Sequence, residues 1–198
     1  MTFAREIPGL EFDPGAHVYR LNGEALPSVT GIIRDAGLSD YSGIPPGVLE
    51  RAAARGKAVH TAIELLLEND LDFESVDPSL HGYIAAYKRF TDDTGWTPTH
   101  VEQRVYHPVL RYVGTYDQLG AMRDGRRFLV DVKTAAKRAP WWPIQAAAYR
   151  ECLDEPAGRA ALRLDKHGRY EFIEYTDRND RAVWIAAVTL HHWRKANG

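Results

Sequence analysis

A single cysteine, Cys152, stands among 198 residues. It excludes an intramolecular disulfide, a four-cysteine zinc site and a cysteine-ligated iron–sulfur cluster, and makes a reducing cytoplasmic compartment the default expectation. An excess of charge is missing as well. Lys and Arg number 25 against 27 Asp and Glu, a formal net charge of -2, so there is no histone-like basic coat and any nucleic-acid contact must be a local patch. Long apolar runs are absent. The first ten residues carry Arg5, Glu6 and Pro8 without an apolar h-region, and no later stretch approaches the roughly 18 to 20 apolar residues that span a bilayer. The expectation is a soluble, unexported chain with no membrane partner. No internal repeat or low-complexity tract is visible either.

What is present describes a folded protein. Apolar residues make up 44% and charged residues 26%, enough hydrophobic material to offset chain entropy and too little charge bias for disorder. The length fits one domain, residues 1–198. Its densest Pro/Gly stretch, Ser42-Gly43-Ile44-Pro45-Pro46-Gly47, separates an N-terminal appendage (1–45) from a core (46–198). Within the appendage, His17–Leu21 and Glu24–Leu26 flank Asn22-Gly23, a strong hairpin signal, and Pro27-Ser28 opens a short helix ending near Gly37.

From Pro46 to about Asn69 apolar residues recur at helical spacing, and Asp77-Pro78 reads as the cap of a second helix reaching Gly95. Past Thr99 the period changes to two, with Val101, Gln103 and Val105 alternating with Glu102, Arg104 and Tyr106. Strands follow at Tyr112–Ala121 and Arg127–Lys133 around the turn Asp124-Gly125. A helix over Pro140–Leu153, strands at Ala160–Leu164 and Tyr170–Tyr175 joined at His167-Gly168, and a helix capped by Asp177 and reaching about Lys195 complete the chain.

The chemistry concentrates in a few segments. In a strand over Phe128–Thr134, Asp131 and Lys133 share one face while Phe128, Val130 and Val132 share the other, which holds a carboxylate and an ammonium side by side. Metal-assisted phosphodiester cleavage needs such a pair. Asp117, in Gly114-Thr-Tyr-Asp117, lies fourteen residues before Asp131 across a hairpin, so the two carboxylates can converge on a hard cation such as Mg²⁺ or Mn²⁺, with Gly114 leaving room for close backbone approach. On the long helix Gly56, His60 and Glu64 fall on one face at four-residue spacing, and a mid-helix glycine suggests close packing or substrate approach. Downstream, Trp141-Trp142-Pro143-Ile144-Gln145 leads to Tyr149, with Lys137 and Arg138 nearby; aromatics and cations so placed can stack bases and bind phosphates, while at least one tryptophan packs a helix on the sheet.

His60 on a helix, Gly114-x-x-Asp117, Asp131-x-Lys133-Thr134 and Gln145-x-x-x-Tyr149, in this order and spacing, resemble the PD-(D/E)XK nuclease superfamily in its RecB-like branch. The resemblance covers residues 46 to about 155; His17-x-Tyr and Leu26-Pro-Ser-Val-Thr30 look like phage-encoded exonucleases and those of mitochondrial genome maintenance. It implies an α/β (α+β) restriction-endonuclease-like core, a central mixed β-sheet flanked by helices, with the hairpin and helix appended. It further implies metal ligation by His60, Asp117, Asp131 and the Val132 backbone carbonyl, Lys133 as the catalytic lysine, and Gln145 and Tyr149 supporting the site and the DNA. Glu102 and Glu64 are candidate additional acids. Cluster-bearing relatives have cysteines that this chain lacks, so no iron–sulfur cluster is carried over, and without a phosphate-binding Gly-Lys-Ser/Thr loop the chain reads as a stand-alone nuclease domain.

The activity so implied is divalent-metal-dependent DNA exonuclease action in phage-type recombination, repair or replication, in a bacterial host cytoplasm if phage-encoded. DNA is the partner, with a recombinase or a single-strand-binding protein as further candidates. A catalytically silent DNA-binding scaffold and a metal-dependent endonuclease are the alternatives. Ser28, Thr30 and Arg34 in the appendage, with Arg51, Arg55, Lys57, Lys137, Arg138 and Trp141, suit a narrow channel for single-stranded DNA or tails threaded from a free end. The competing expectation is an appendage that merely caps a sheet edge and leaves a groove open to duplex.

Overall fold

The computed structural model describes residues 2–3, 7–13, 15–16 and 18–198, with side chains from residue 7 onward. Arg5, Glu6 and His17 lie outside the described residues. In chain order the elements are β1 (Thr2–Phe3), β2 (Leu10–Asp13), β3 (Val18–Leu21), β4 (Glu24–Leu26), α1 (Val29–Asp35), α2 (Pro46–Glu68), α3 (His81–Thr94), β5 (Thr97–His107), β6 (Tyr112–Ala121), β7 (Arg127–Lys133), α4 (Trp142–Arg150), β8 (Gly158–Leu164), β9 (Tyr170–Tyr175) and α5 (Asn179–Asn197).

Local chemistry accounts for most boundaries. Asn22 and Gly23 take φ of 50° and 84°, the left-handed pair that a tight β3–β4 turn demands. Ser28 Oγ accepts the Gly31 amide at 3.0 Å and caps α1. Pro46 occupies the first turn of α2, and Asn69 ends that helix in the left-handed region. Asp77 caps as expected, but the element it caps is a 3₁₀ turn over Pro78–Leu80 that precedes α3, because its carboxylate accepts the Ser79 amide at 2.8 Å. Strands β1 and β2 carry no pattern that the sequence reading detected: one is two residues long and the other four.

The main sheet has six strands in the order β1-β5-β6-β7-β8-β9, parallel at β1/β5 and β7/β8 and antiparallel elsewhere. Against one face α1, α4 and α5 bury Ile32, Tyr112, Leu129, Ala148 and Trp184. Against the other, α2 and α3 bury Ile63, Tyr87, Phe90, Val130 and Leu162. This is the expected mixed sheet flanked by helices. Trp142 is buried with Ala161 and Ile173, so one of the paired tryptophans does pack its helix on the sheet. Among the described residues no helix is long and apolar enough to cross a membrane.

One irregularity organises the rest. Pairing of β6 with β7 covers only Gln118–Ala121 against Arg127–Val130. Beyond it β6 stays paired to β5 as far as Tyr112, and β7 stays paired to β8 as far as Lys133. The two strands therefore fork at Gln118 and Val130. The Tyr149 ring fills the crotch against Gly114, where an added Cβ would meet Tyr149 Cε1 at 2.5 Å. Further along, Val113 N–H donates to the Pro27 carbonyl at 3.0 Å, and the three-stranded β2-β3-β4 sheet packs Tyr19 and Leu26 on Val113. Exposed strand-edge groups are thus covered rather than left to solvent.

Two glycines of the sequence reading part company here. Gly114 is a site of close approach as expected, whereas Gly56 is not tightly packed: a Cβ there meets only Thr134 Oγ1, at 3.7 Å. Gly114→Ala should destabilise by about 1–3 kcal/mol through overpacking. Gly56→Ala should stabilise by about 1 kcal/mol through helix propensity. Urea titration of the two variants checks both signs.

Candidate metal centre

Four elements deliver side chains to the fork. His60 and Glu64 stand one turn apart on α2, Glu102 comes from β5, Asp117 from β6, and the Val132 carbonyl from β7. His60 Nδ1 lies 3.2 Å from Glu102 Oε1 and 3.7 Å from Asp117 Oδ1, and Nε2 lies 3.1 Å from the Val132 carbonyl oxygen. One ligand atom each from His60, Glu102 and Asp117 falls within 4.8 Å of the others. The other oxygen of Asp117 accepts the Val132 amide at 2.6 Å, so this carboxylate replaces the ladder bond that β7 loses where the strands part. Glu102 has a φ of 48°, a conformation that costs a non-glycine residue of order 1–3 kcal/mol and is retained here between paired neighbours on both sides.

Asp131 and Lys133 form the second half of the site. They project from the face of β7 that meets α4, and Asp131 is 4% exposed. Lys133 Nζ is ion-paired with Asp131 Oδ2 and donates to Gln145 Oε1 at 2.9 Å; Gln145 Nε2 in turn donates to the Tyr149 hydroxyl at 3.2 Å. The ammonium sits 5.3 Å from the centre of the Trp141 ring and 5.8 Å from that of Trp142. The ligand set implied by the resemblance is thus divided. His60, Asp117 and the Val132 carbonyl come together with Glu102, while Asp131 stands outside that group beside Lys133. The division follows from strand alternation, since His60 reaches β7 at Val132 from the α2 side and neighbouring side chains point to opposite faces.

Electrostatics make the cluster a receptor for a cation. Burial opposes a charged His60, yet the carboxylates of Asp117, Glu102 and Asp131 outweigh it and hold the imidazole pKa well above its ordinary range. Geometry agrees: both ring nitrogens face acceptors, a carboxylate and a carbonyl, as a protonated imidazole requires. Burial, reinforced by Asp131 and Glu102, raises Asp117 despite His60. Glu64 is also raised, first by partial burial and then by the charge of Glu102. Two buried or half-buried carboxylates, an imidazole and a carbonyl form an oxygen-rich donor set that can hold a divalent metal ion.

The remaining expected residues are more dispersed. Ser28 is occupied as the α1 cap, and Thr30 Oγ1 lies 3.4 Å from its hydroxyl. Arg34 lies beside Asp35, both exposed. The Arg55 guanidinium lies 6.0 Å from the centre of the Tyr83 ring. Arg51, Lys57 and Lys137 are exposed. Arg138 is exposed and ion-paired with Glu171, which also pairs with Arg163. Tyr41, in the α1–α2 connection, was not singled out from sequence; it is 43% exposed yet close enough to Lys133 for the ammonium to act on its hydroxyl, whose pKa partial burial nonetheless raises. A tyrosine in a Gly/Pro-rich connection carries no periodicity that could have marked it.

No protein-family model matches the chain, and no curated protein matches it. Among solved structures it is similar to an alkaline exonuclease (LHK-Exo) from Laribacter hongkongensis, with a TM-score of 0.38, 15% sequence identity, and coverage of 84% of this chain and 92% of that chain.

With the imidazole of His60 held protonated by the surrounding carboxylates, ion binding must displace a proton. Mn²⁺ affinity should therefore fall as pH is lowered from 8 to 6, and calorimetry in buffers of different ionisation enthalpy should register proton release. An uptake heat independent of the buffer would contradict this ionisation.

Proposed function

We propose that the chain is a divalent-metal-dependent DNA exonuclease of PD-(D/E)XK type that acts on single-stranded DNA or single-stranded tails, in recombination, repair or replication of the phage type. One observation carries the reading: at a single strand fork, the His60–Glu102–Asp117 group meets a lysine held between Asp131 and Gln145. A bound Mg²⁺ or Mn²⁺ would supply Lewis-acid polarisation of the phosphate and a more acidic attacking water.

The chain's own residues do the positioning. His60, Glu102, Asp117 and the Val132 carbonyl would hold the ion, with Asp131 joining from the opposite face of β7 and Glu64 behind Glu102. Lys133 places a fixed positive charge where charge develops on the phosphate and can orient the water. Gln145 fixes the ammonium, and Tyr149, kept as a neutral phenol by burial, fixes Gln145 through its hydroxyl. Trp141 offers an aromatic face beside the same ammonium.

The single-strand preference rests on the appendage. Pro27 does cover strand edge groups at Val113, as the competing expectation had it, but the connection that follows α1 also carries Tyr41 within electrostatic range of Lys133. An exposed aromatic within that range suits an unpaired base more than a duplex. A silent scaffold is the weaker reading, because a buried aspartate paired to a lysine that is itself held by a glutamine is an arrangement that DNA binding alone does not need.

Asp117→Ala, Asp131→Ala and Lys133→Ala should each lower cleavage at least about a hundredfold with folding largely retained. Mg²⁺ or Mn²⁺ should support turnover, whereas Ca²⁺ should permit binding with little cleavage because its longer, looser coordination orients reactants poorly. Near-normal cleavage by a folded Asp131→Ala protein would refute the site. A labelled linear single strand should be degraded and a covalently closed single-stranded circle spared; equal initial rates on both would remove threading and favour the endonuclease reading.

A further inference from the structure

Next to the metal centre lies a groove that the catalytic reading does not use. Three adjoining cavities, of about 480, 330 and 570 Å³, share lining residues in series. The first and second share Arg55, Tyr83 and Lys166; the second and third share Ala136, Arg163, Asp165 and Arg169. The middle cavity is walled by Thr134, which directly follows Lys133, and by Arg55, which directly precedes Gly56. Since Gly56 faces Thr134 and stands one helical turn before His60, the groove and the metal centre lie on either side of this contact.

Four basic side chains line the groove against three acidic ones, Asp77, Asp165 and Glu171. Arg55, Arg163, Lys166 and Arg169 come to it from α2, β8 and the β8–β9 turn, three elements far apart in sequence. Asp165 is the one carboxylate in the middle cavity, and it is already occupied by Arg169 Nε at 2.8 Å and by the amides of His167 and Arg169. Lys166 has no hydrogen bond or ion pair among the described residues. The Arg55 Nε is buried without a hydrogen-bond partner, its guanidinium meeting only the Tyr83 ring. Arg163 is held by Glu171 and Arg169 by Asp165, which leaves Arg55 and Lys166, beside the Tyr83 ring, as the cations of the groove without an ion-pair partner among the described residues.

We propose that this groove binds the sugar–phosphate backbone of the DNA strand being cleaved, on the side of the scissile bond beyond Thr134, and does so through phosphates without reading bases. The proposal rests on the nuclease reading of the adjoining centre. It assigns Arg55 and Lys166 as binding residues that act on affinity rather than on the chemical step, because neither lies in the Lys133–Asp131 or His60–Glu102–Asp117 groups.

The test uses the whole chain with Ca²⁺ and a fluorescein-labelled single-stranded oligonucleotide of about twenty nucleotides, reading anisotropy over a KCl series. The double variant Arg55→Ala/Lys166→Glu should bind at least about tenfold more weakly, with the slope of log affinity against log salt shallower by about 1.4, roughly 0.7 for each lost phosphate contact. Lys166→Arg should restore most of the loss, and Lys195→Ala, at the far end of α5, should change neither quantity. With Mg²⁺ the double variant should show a raised KM and a kcat close to that of the parent. Unchanged affinity and slope in a folded double variant would overturn the groove while leaving cleavage intact. A parent protein that binds with the predicted slope yet never cleaves would instead overturn the nuclease reading and leave the groove standing.

Discussion

Everything at the centre depends on one hydrogen bond, from the Val132 amide to Asp117 Oδ2 across the gap where β6 and β7 part. A forked sheet exposes backbone groups that must be satisfied, and a carboxylate from the diverging strand satisfies one of them. The same bond holds Asp117 with its other oxygen towards His60 and leaves the Val132 carbonyl for the imidazole. A cluster able to hold a metal ion and a repair of broken strand pairing are thus a single piece of structure.

The fork is kept open by packing from both faces. Tyr149 lies against Gly114 and cannot be accommodated by any larger residue there without movement, so α4 acts as a wedge. Tyr112, one turn of the ladder away, donates to the Ala148 carbonyl at 2.8 Å and meets Trp184 of α5 edge-on, which locks the wedge to the sheet. On the opposite face Val59 and Ile63 anchor α2 in the core and so carry His60 to its position. These contacts belong to two separate apolar clusters, one on each face of the sheet, and β7 with its Asp131 charge links the two halves of the site.

Charge is distributed to match. The acids are gathered where desolvation makes them costly and a cation is therefore welcome, while several surface arginines are neutralised pairwise, as Arg138 and Arg163 are by Glu171 and Arg126 by Asp124 and Glu174. Against that background the buried Arg55 Nε, without a hydrogen-bond partner, distinguishes the groove beside Thr134.

Local rules decided a good part of this protein. The Asn22-Gly23 turn, the Ser28 cap, the alternation of Val101, Gln103 and Val105, and the pairing of Asp131 with Lys133 on one strand face all follow from the conformations and periodicities that these residues adopt by themselves. Only the tertiary structure decided which acids share an ion site. Glu102 enters the His60 group through a left-handed backbone turn that no strand pattern signals, and Asp131, adjacent in sequence to Val132, is sent to the other side of β7 by the alternation of the strand. The same holds for Tyr41, Arg163, Lys166 and Arg169, whose places near the centre depend on loop paths and on strands that pair across long stretches of chain. Spacing along a sequence reports which residues share a face; it does not report which faces are brought together, because that is settled by packing between elements distant in the chain.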